Sequence, residues 1–331
     1  MGDAITATVR EIVRRHPDAP ARSLARRVVA ETNHAITLEQ ARSRVRAVLG
    51  LGGAGKRRKI PNAQFRPPRV AGQTLSLPPT KAKPWTPHDM GVVGRIGVLS
   101  DVHVPYHDAV AVQAAVRHLQ AVKVNGLLLN GDIADFYSIS HWVKRPSERD
   151  FPGELRAVRD FLGWLRQEFP KVPIVLKLGN HEERFEKWLW QHAAEISDEP
   201  EMGLDVWLRT ARLGITIVDD QRPVLLGELP VLHGHELPRG VSSPVNPARG
   251  AFMRTKHTVL VGHQHQTSGH CEPDMWHKET FVWSTGCLCS LTPDFARLNR
   301  WNWGFAVVTV ERDGQFDVAN MRIAGDVVRT S

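Results

Sequence analysis

The chain has 331 residues, 42% of them apolar and 24% charged, which is enough for one large globular domain and a smaller one. No apolar run is long enough to span a bilayer, the N-terminus lacks a secretory h-region, and three cysteines make no disulfide framework; a reducing cytoplasm fits. The net charge of +8 is uneven: positions 1–94 hold 17 lysines and arginines against 6 acidic residues, whereas the remainder holds 26 against 29. That asymmetry points to a polyanion-binding appendage on a near-neutral body.

In chain order, residues 3–50 are predicted as three short helices. Ile5, Val9, Ile12 and Val13 share one face, and Pro17 and Pro20 break the chain after them. Leu24, Val28 and Val29 mark a second helix. Thr37 and Gln40, at capping-box spacing, start a third that stops at Gly50. Arg42 and Arg46, four apart, project together from that helix. A tight turn and an arginine-bearing last helix resemble a helix-turn-helix module over 1–52, with nucleic acid, DNA or RNA, as the expected partner. Residues 53–94 read as a Gly/Pro/basic linker. The cluster Lys56, Arg57, Arg58 and Lys59 would add phosphate contacts there.

From residue 95 strands and helices alternate. Buried strands "RIGVLSD", "VNGLLLNGD" and "VPIVLKLGN" are separated by amphipathic helices. Two helices are expected over 182–195 and 201–213, then mostly strands, with Asp313-Gly314 as a hairpin turn. Helices first and strands later suggest a mixed sheet, or two stacked sheets with helices outside, in an α/β (α+β) domain over 95–331.

Polar groups recur where these apolar runs end. Asp101 and His103 follow the first strand, Asp132 and Asp135 the second, and Asn180, His181, Glu182, Glu183 and Arg184 the third. His233 and His235 end a later run, and His263 and His265 another. Carboxylates and neutral imidazoles are ligands of manganese, iron and zinc. A carboxylate such as Asp132 can bridge two ions. Two ions about 3.5–4 Å apart can hold a hydroxide between them and clamp an in-line displacement at phosphorus.

The ordered set D-x-H, G-D-x-x-D, G-N-H-E, H-G and G-H-x-H is similar to the calcineurin-like metallophosphoesterase superfamily. The combination "NGDIADFYSIS" and "GNHEER", behind a small basic helical module, is most similar to its phage and prophage members. The resemblance implies a four-layer αββα sandwich and two divalent metal ions, manganese foremost, with iron, zinc or nickel as alternatives. It implies that Asp101, His103, Asp132 and His265 hold the first ion, and Asp132, Asn180, His233 and His263 the second. His181 would face the scissile phosphate and protonate the leaving oxygen, with Asp135 accepting from its other ring nitrogen. Asn180 would also reach a phosphate oxygen, and Glu182 would be structural support.

The chain departs from the superfamily's serine/threonine phosphatases, because Phe136 and Tyr137 follow Asp135 and the expected arginine is missing. Arg184 and His235 are candidate substrate contacts, and Arg184 could equally pair with Glu183 or solvent. His141, Trp142 and Lys144, with Trp301 and Trp303, are candidates for base stacking. The expected activity is phosphodiester cleavage of nucleic acid. A small-nucleotide phosphoesterase is the alternative, and a DNA-binding regulator on an inactive scaffold a third.

Overall fold

The computed structural model describes residues 2–50, 77–142, 145–219, 221–238 and 245–330. The basic cluster at 56–59 and Lys144 lie outside the described residues. The chain forms two compact units, dividing between Lys81 and Ala82.

The first unit contains α1 (Gly2–Arg15), α2 (Ala21–Glu31) and α3 (Leu38–Val48). Their apolar stripes meet in one core, with Val9, Ile12, Leu24, Val28, Ala41 and Val45 fully buried. Thr37 and Gln40 form a reciprocal capping box at the start of α3. The link from α2 to α3 spans residues 32–37, longer than the three to four residues of a helix-turn-helix turn. Asn33 and His34 both take left-handed backbone there, which reverses the chain more gradually.

The second unit begins with β1 (His88–Asp89), β2 (Gly94–Leu99), α4 (Ala109–Ala121), β3 (Gly126–Asn130), α5 (Phe151–Glu168), β4 (Ile174–Lys177) and α6 (Glu183–His192). It continues through α7 (Leu204–Leu208), α8 (Thr210–Leu213), β5 (Ile215–Val218), β6 (Val224–Leu226), β7 (Leu229–Leu232) and α9 (Pro247–Thr255). It ends with β8 (Val259–Val261), β9 (Ser268–Pro273), β10 (Glu279–Ser284), β11 (Gly304–Val310), β12 (Phe316–Ala324) and β13 (Val327–Thr330).

One sheet has seven strands in the order β13-β12-β11-β2-β3-β4-β5, and the other six in the order β1-β6-β7-β8-β10-β9. Within the first, β2, β3, β4 and β5 run parallel, so their C-terminal ends share one edge. The cores show four layers. Leu127, Leu129, Ile174 and Leu176 turn to the side of α4 and α5. Leu128 and Val175 turn the other way, toward Val224, Leu229, Val231 and Leu260 of the second sheet. Ala248 and Ala251 of α9 cover the far side of that sheet against Val259 and Val282. A strand buried on both faces reads as a continuous apolar run, which is why "GLLLN" shows no alternation.

The helix expected over 201–213 is broken into α7 and α8. Arg159 of α5 donates to the Trp207 carbonyl at 2.5 Å, and Arg209 takes left-handed backbone, so the ladder stops there. The Asp313-Gly314 turn does join β11 to β12, with Gly314 at positive φ.

Candidate metal centre

The polar groups at the strand ends come together. The loop after β2 zips to the loop after β3: the Asp101 N–H donates to the Gly131 carbonyl, that of His103 to Asp132 and that of Val104 to Ile133, at 2.8–3.1 Å. Asp101 Oδ2 accepts from the backbone N–H of His263 at 2.9 Å, which ties the loop after β8 to the same place. Asp101, His103, Asp132, His263 and His265 all have φ between +52° and +67°. Left-handed backbone in residues other than glycine costs about 1–3 kcal/mol each, and the fold sustains five instances at one site. Gly179 completes the seat, since a Cβ there would lie 2.5 Å from the Asp132 nitrogen and also collide with its carboxylate.

Distances define the centre. Asp101 Oδ1 lies 3.1 Å from His265 Nε2, which lies 3.3 Å from His103 Nε2. Asp132 Oδ2 lies 3.2 Å from His233 Nε2, 3.7 Å from His181 Nε2 and 3.9 Å from His103 Nε2. Donor atoms of Asp132, His233 and His263 fall within 4.8 Å of one another. So do those of His103, Asp132 and His181, and those of His103, His265 and Cys289.

Hydrogen bonds set the tautomers. His103 Nδ1 is held 2.8 Å from Asp135 Oδ1, and His233 Nδ1 lies 2.7 Å from the Asn130 carbonyl. Each Nδ1 therefore carries a proton, and Nε2 is turned toward the carboxylates, the orientation that metal-binding histidines use once Nε2 has given up any proton to the metal.

Charges are compressed. Burial disfavours ionisation of Asp132, but His181, His233 and His103 around it hold its carboxyl well below the usual range. Burial likewise opposes charge on His233 and His265. Asp132 and Asp101, respectively, outweigh it and raise each pKa to about 10. Burial, with His233 nearby, takes His263 down to about 4. This donor set draws in positive charge. Moreover, Asp101 Oδ1, Asn180 Oδ1, His233 Nε2 and His263 Nδ1 are buried without a well-formed hydrogen bond. Such atoms each cost about 1–3 kcal/mol unless a partner is supplied. Divalent cations fit both requirements.

Other candidates are placed as follows. His181 Nδ1 lies 2.8 Å from the Asp135 carbonyl and 3.1 Å from its carboxylate, whose shorter bond goes to His103; Asp135 thus orients two imidazoles. Arg184 contacts Asp135 and His181, and it does not pair with Glu183. His235 bonds Glu183 at 2.8 Å, with its ring 5.3 Å from that of His233. Trp301 packs edge-on against His265 at 4.1 Å, whereas Trp303 donates to the Cys289 carbonyl. His141 and Trp142 pack against each other, and both are exposed. Arg42 and Arg46 are exposed on α3, Arg42 lying 3.8 Å from Glu39.

Glu182 is the structural support expected of it. Buried Glu182 accepts from four backbone N–H groups, those of Asp132, Ile133, Ala134 and Gly179, and so fastens two ligand loops together. Two further supports were not legible as such. Cys289 lies 3.8 Å from His265 Nδ1. Lys177 and Glu236 form a buried ion pair at 2.6 Å. Glu236 also accepts from the N–H groups of His233 and Gly234. The acid after "HGH" and the lysine before "LGN" were the only signals for that pair.

Burial works against the Glu236 charge, but Lys177 holds its pKa at about 2, below the ordinary 4.5. Its stabilisation is complete above the ordinary value and is lost as pH falls toward 2. Lys177→Met strands that carboxylate. We expect a loss of about 3 kcal/mol in thermal unfolding and about tenfold weaker metal binding. An unchanged melting temperature and metal titration would show that the pair carries neither burden.

Comparison with known proteins agrees with this geometry. Residues 94–267 match the model of the calcineurin-like phosphoesterase family. The chain is 26% identical over 232 residues to the Gene 54 protein of Mycobacterium phage D29, covering 66% of this chain and 89% of that one. It is 26% identical over 238 residues to the Gene 54 protein of Mycobacterium phage L5, covering 67% and 90%. Among solved structures, Vps29 of Cryptosporidium parvum is similar at 13% identity and a TM-score of 0.40, over 72% of this chain and 95% of that one. Yfce, a phosphoesterase from E. coli, is similar at 14% and 0.32, over 70% and 100%.

Proposed function

This chain belongs to the calcineurin-like phosphoesterase family, and from that premise we propose that it is a two-metal phosphodiesterase or nuclease acting on nucleic acid. It is a metal-dependent phosphoester hydrolase of phage type. The observation that carries the reading is the gathering of carboxylate and imidazole donors around Asp132. Asp101, His103, Asp132 and His265 would hold one ion, and Asp132, Asn180, His233 and His263 the other. Manganese is our first choice, before iron, zinc or nickel. Bound there, such ions lower the pKa of water and neutralise charge developing at phosphorus.

The chain's own residues do the rest. Asp135 and Asn130 keep the Nε2 lone pairs of His103 and His233 turned inward. The His181 imidazole, 3.7 Å from the Asp132 carboxylate, would give a proton to the leaving oxygen. Two neighbouring carboxylates favour that proton and raise its pKa against burial.

Nucleic acid as substrate rests on the basic excess of positions 1–94, with Arg42, Arg46 and the cluster Lys56, Arg57, Arg58 and Lys59 as contacts. A small-nucleotide phosphatase or phosphodiesterase is the second reading, favoured by the slight acidic excess of the phosphoesterase unit itself. An inactive scaffold is disfavoured by the retained donors. Among the described residues no helix is long and apolar enough to cross a membrane, and we place the protein in the cytoplasm of a bacterial or phage-infected cell.

The test supplies manganese and offers an aryl phosphodiester, an aryl monoester, and single- and double-stranded DNA. We expect DNA turnover that falls steeply with salt. Deleting residues 1–60 should leave aryl ester hydrolysis intact and weaken DNA cleavage about tenfold or more at physiological salt. Unchanged DNA turnover and salt dependence after the deletion would end the appendage reading.

A further inference from the structure

Arg184 is a half-buried cation without a carboxylate partner among the described residues. Its Nη1 donates to the Asp135 carbonyl at 3.0 Å, and its Nη2 lies 2.9 Å from His181 Nε2. Glu183, the acid beside it in sequence, is taken by His235, Lys187 and Gln221. Position 136 supplies no cation either: Phe136 is fully buried and packs against Phe151 and Phe185.

A guanidinium carries five N–H donors in a planar fork and stays charged. Here a carbonyl and an imidazole satisfy two of them, and neither neutralises it. The imidazole atom it occupies is the one that must face the leaving oxygen if His181 is to release a proton. Arg184 therefore blocks the acid atom in the free protein, and it needs an anion to draw it away.

We propose that Arg184 binds the phosphoryl group of the substrate and exchanges partners as it does so. Without substrate, Nη2 rests on His181 Nε2. With a phosphoryl oxygen present, the guanidinium turns to that oxygen through charge-assisted hydrogen bonds, and the freed Nε2 takes a proton from water and passes it to the leaving oxygen. Arg184 is thus a substrate-binding residue in a family member that has phenylalanine at 136. The inference rests on the phosphoester-hydrolase reading.

The test uses the full-length, manganese-loaded protein with inorganic phosphate as competitor and an aryl phosphoester as substrate. Loss of charge-assisted bonds predicts that Arg184→Ala weakens phosphate inhibition and raises KM about tenfold to a hundredfold. Metal content should stay at the wild-type level, and Arg184→Lys should recover part of both effects by restoring the charge without the fork. If Arg184→Ala leaves the phosphate inhibition constant and KM within twofold of wild type, the proposal is wrong. It is equally wrong if the only change is loss of metal, since Arg184 would then merely support the centre. A wild-type protein that neither hydrolyses phosphoesters nor binds phosphate would instead overturn the hydrolase reading itself.

Discussion

Asp132→Asn should leave a folded protein that no longer holds its pair of divalent ions and has lost on the order of 10³-fold or more in turnover. Removing one preorganised electrostatic group from an active site costs about 10²–10³, and Asp132 serves more than one donor group. Its Oδ2 faces Nε2 of His233, His181 and His103, and its Oδ1 accepts the His181 N–H. The amide is nearly isosteric, but it is neutral. If its NH₂ takes the Oδ2 position, a donor also meets the inward lone pairs of His103 and His233. Elemental analysis should find depleted metal, and added manganese should raise the melting temperature of the wild type but not of the variant, because that increment reports binding to the native state. A variant that keeps both ions and near-normal turnover would refute a bridging role.

The second large effect is expected at His181, and it should look different. His181→Ala keeps the backbone N–H that donates to Asp132 Oδ1, so the carboxylate remains seated. Metal content should be unchanged. Turnover should fall about 10²–10⁴-fold, the range for loss of a general acid. The loss should be large for an alkyl phosphoester, whose leaving oxygen needs a proton, and small for a nitrophenyl ester, whose leaving group departs as an anion. Equal losses on the two substrates would mean that His181 acts on binding or charge and transfers no proton.

Much of this was legible because it is local. Period and caps showed the three N-terminal helices, down to the Thr37–Gln40 box, and continuous apolar runs marked strands covered on both faces. The D-x-H and G-N-H-E fragments could be placed at strand ends, and parallel strands carry such ends to a common edge. Helix breakage at Arg209 was not legible. There Arg159 donates to the Trp207 carbonyl across 48 positions, and no propensity of the broken segment reports that bond.

Which donors exist, and on which strand ends they fall, can be read from residue order, because spacing controls the direction of side chains within one element. How those donors are held follows from contacts between distant segments. The His263 N–H finds Asp101 across 162 positions, Glu182 gathers four N–H groups from two loops, and Asp135 divides itself between His103 and His181. Arg184 came to rest on an imidazole and not on its neighbouring acid. Such choices depend on strand order and on left-handed turns that packing sustains, and they are settled only when distant segments compete for the same hydrogen bonds.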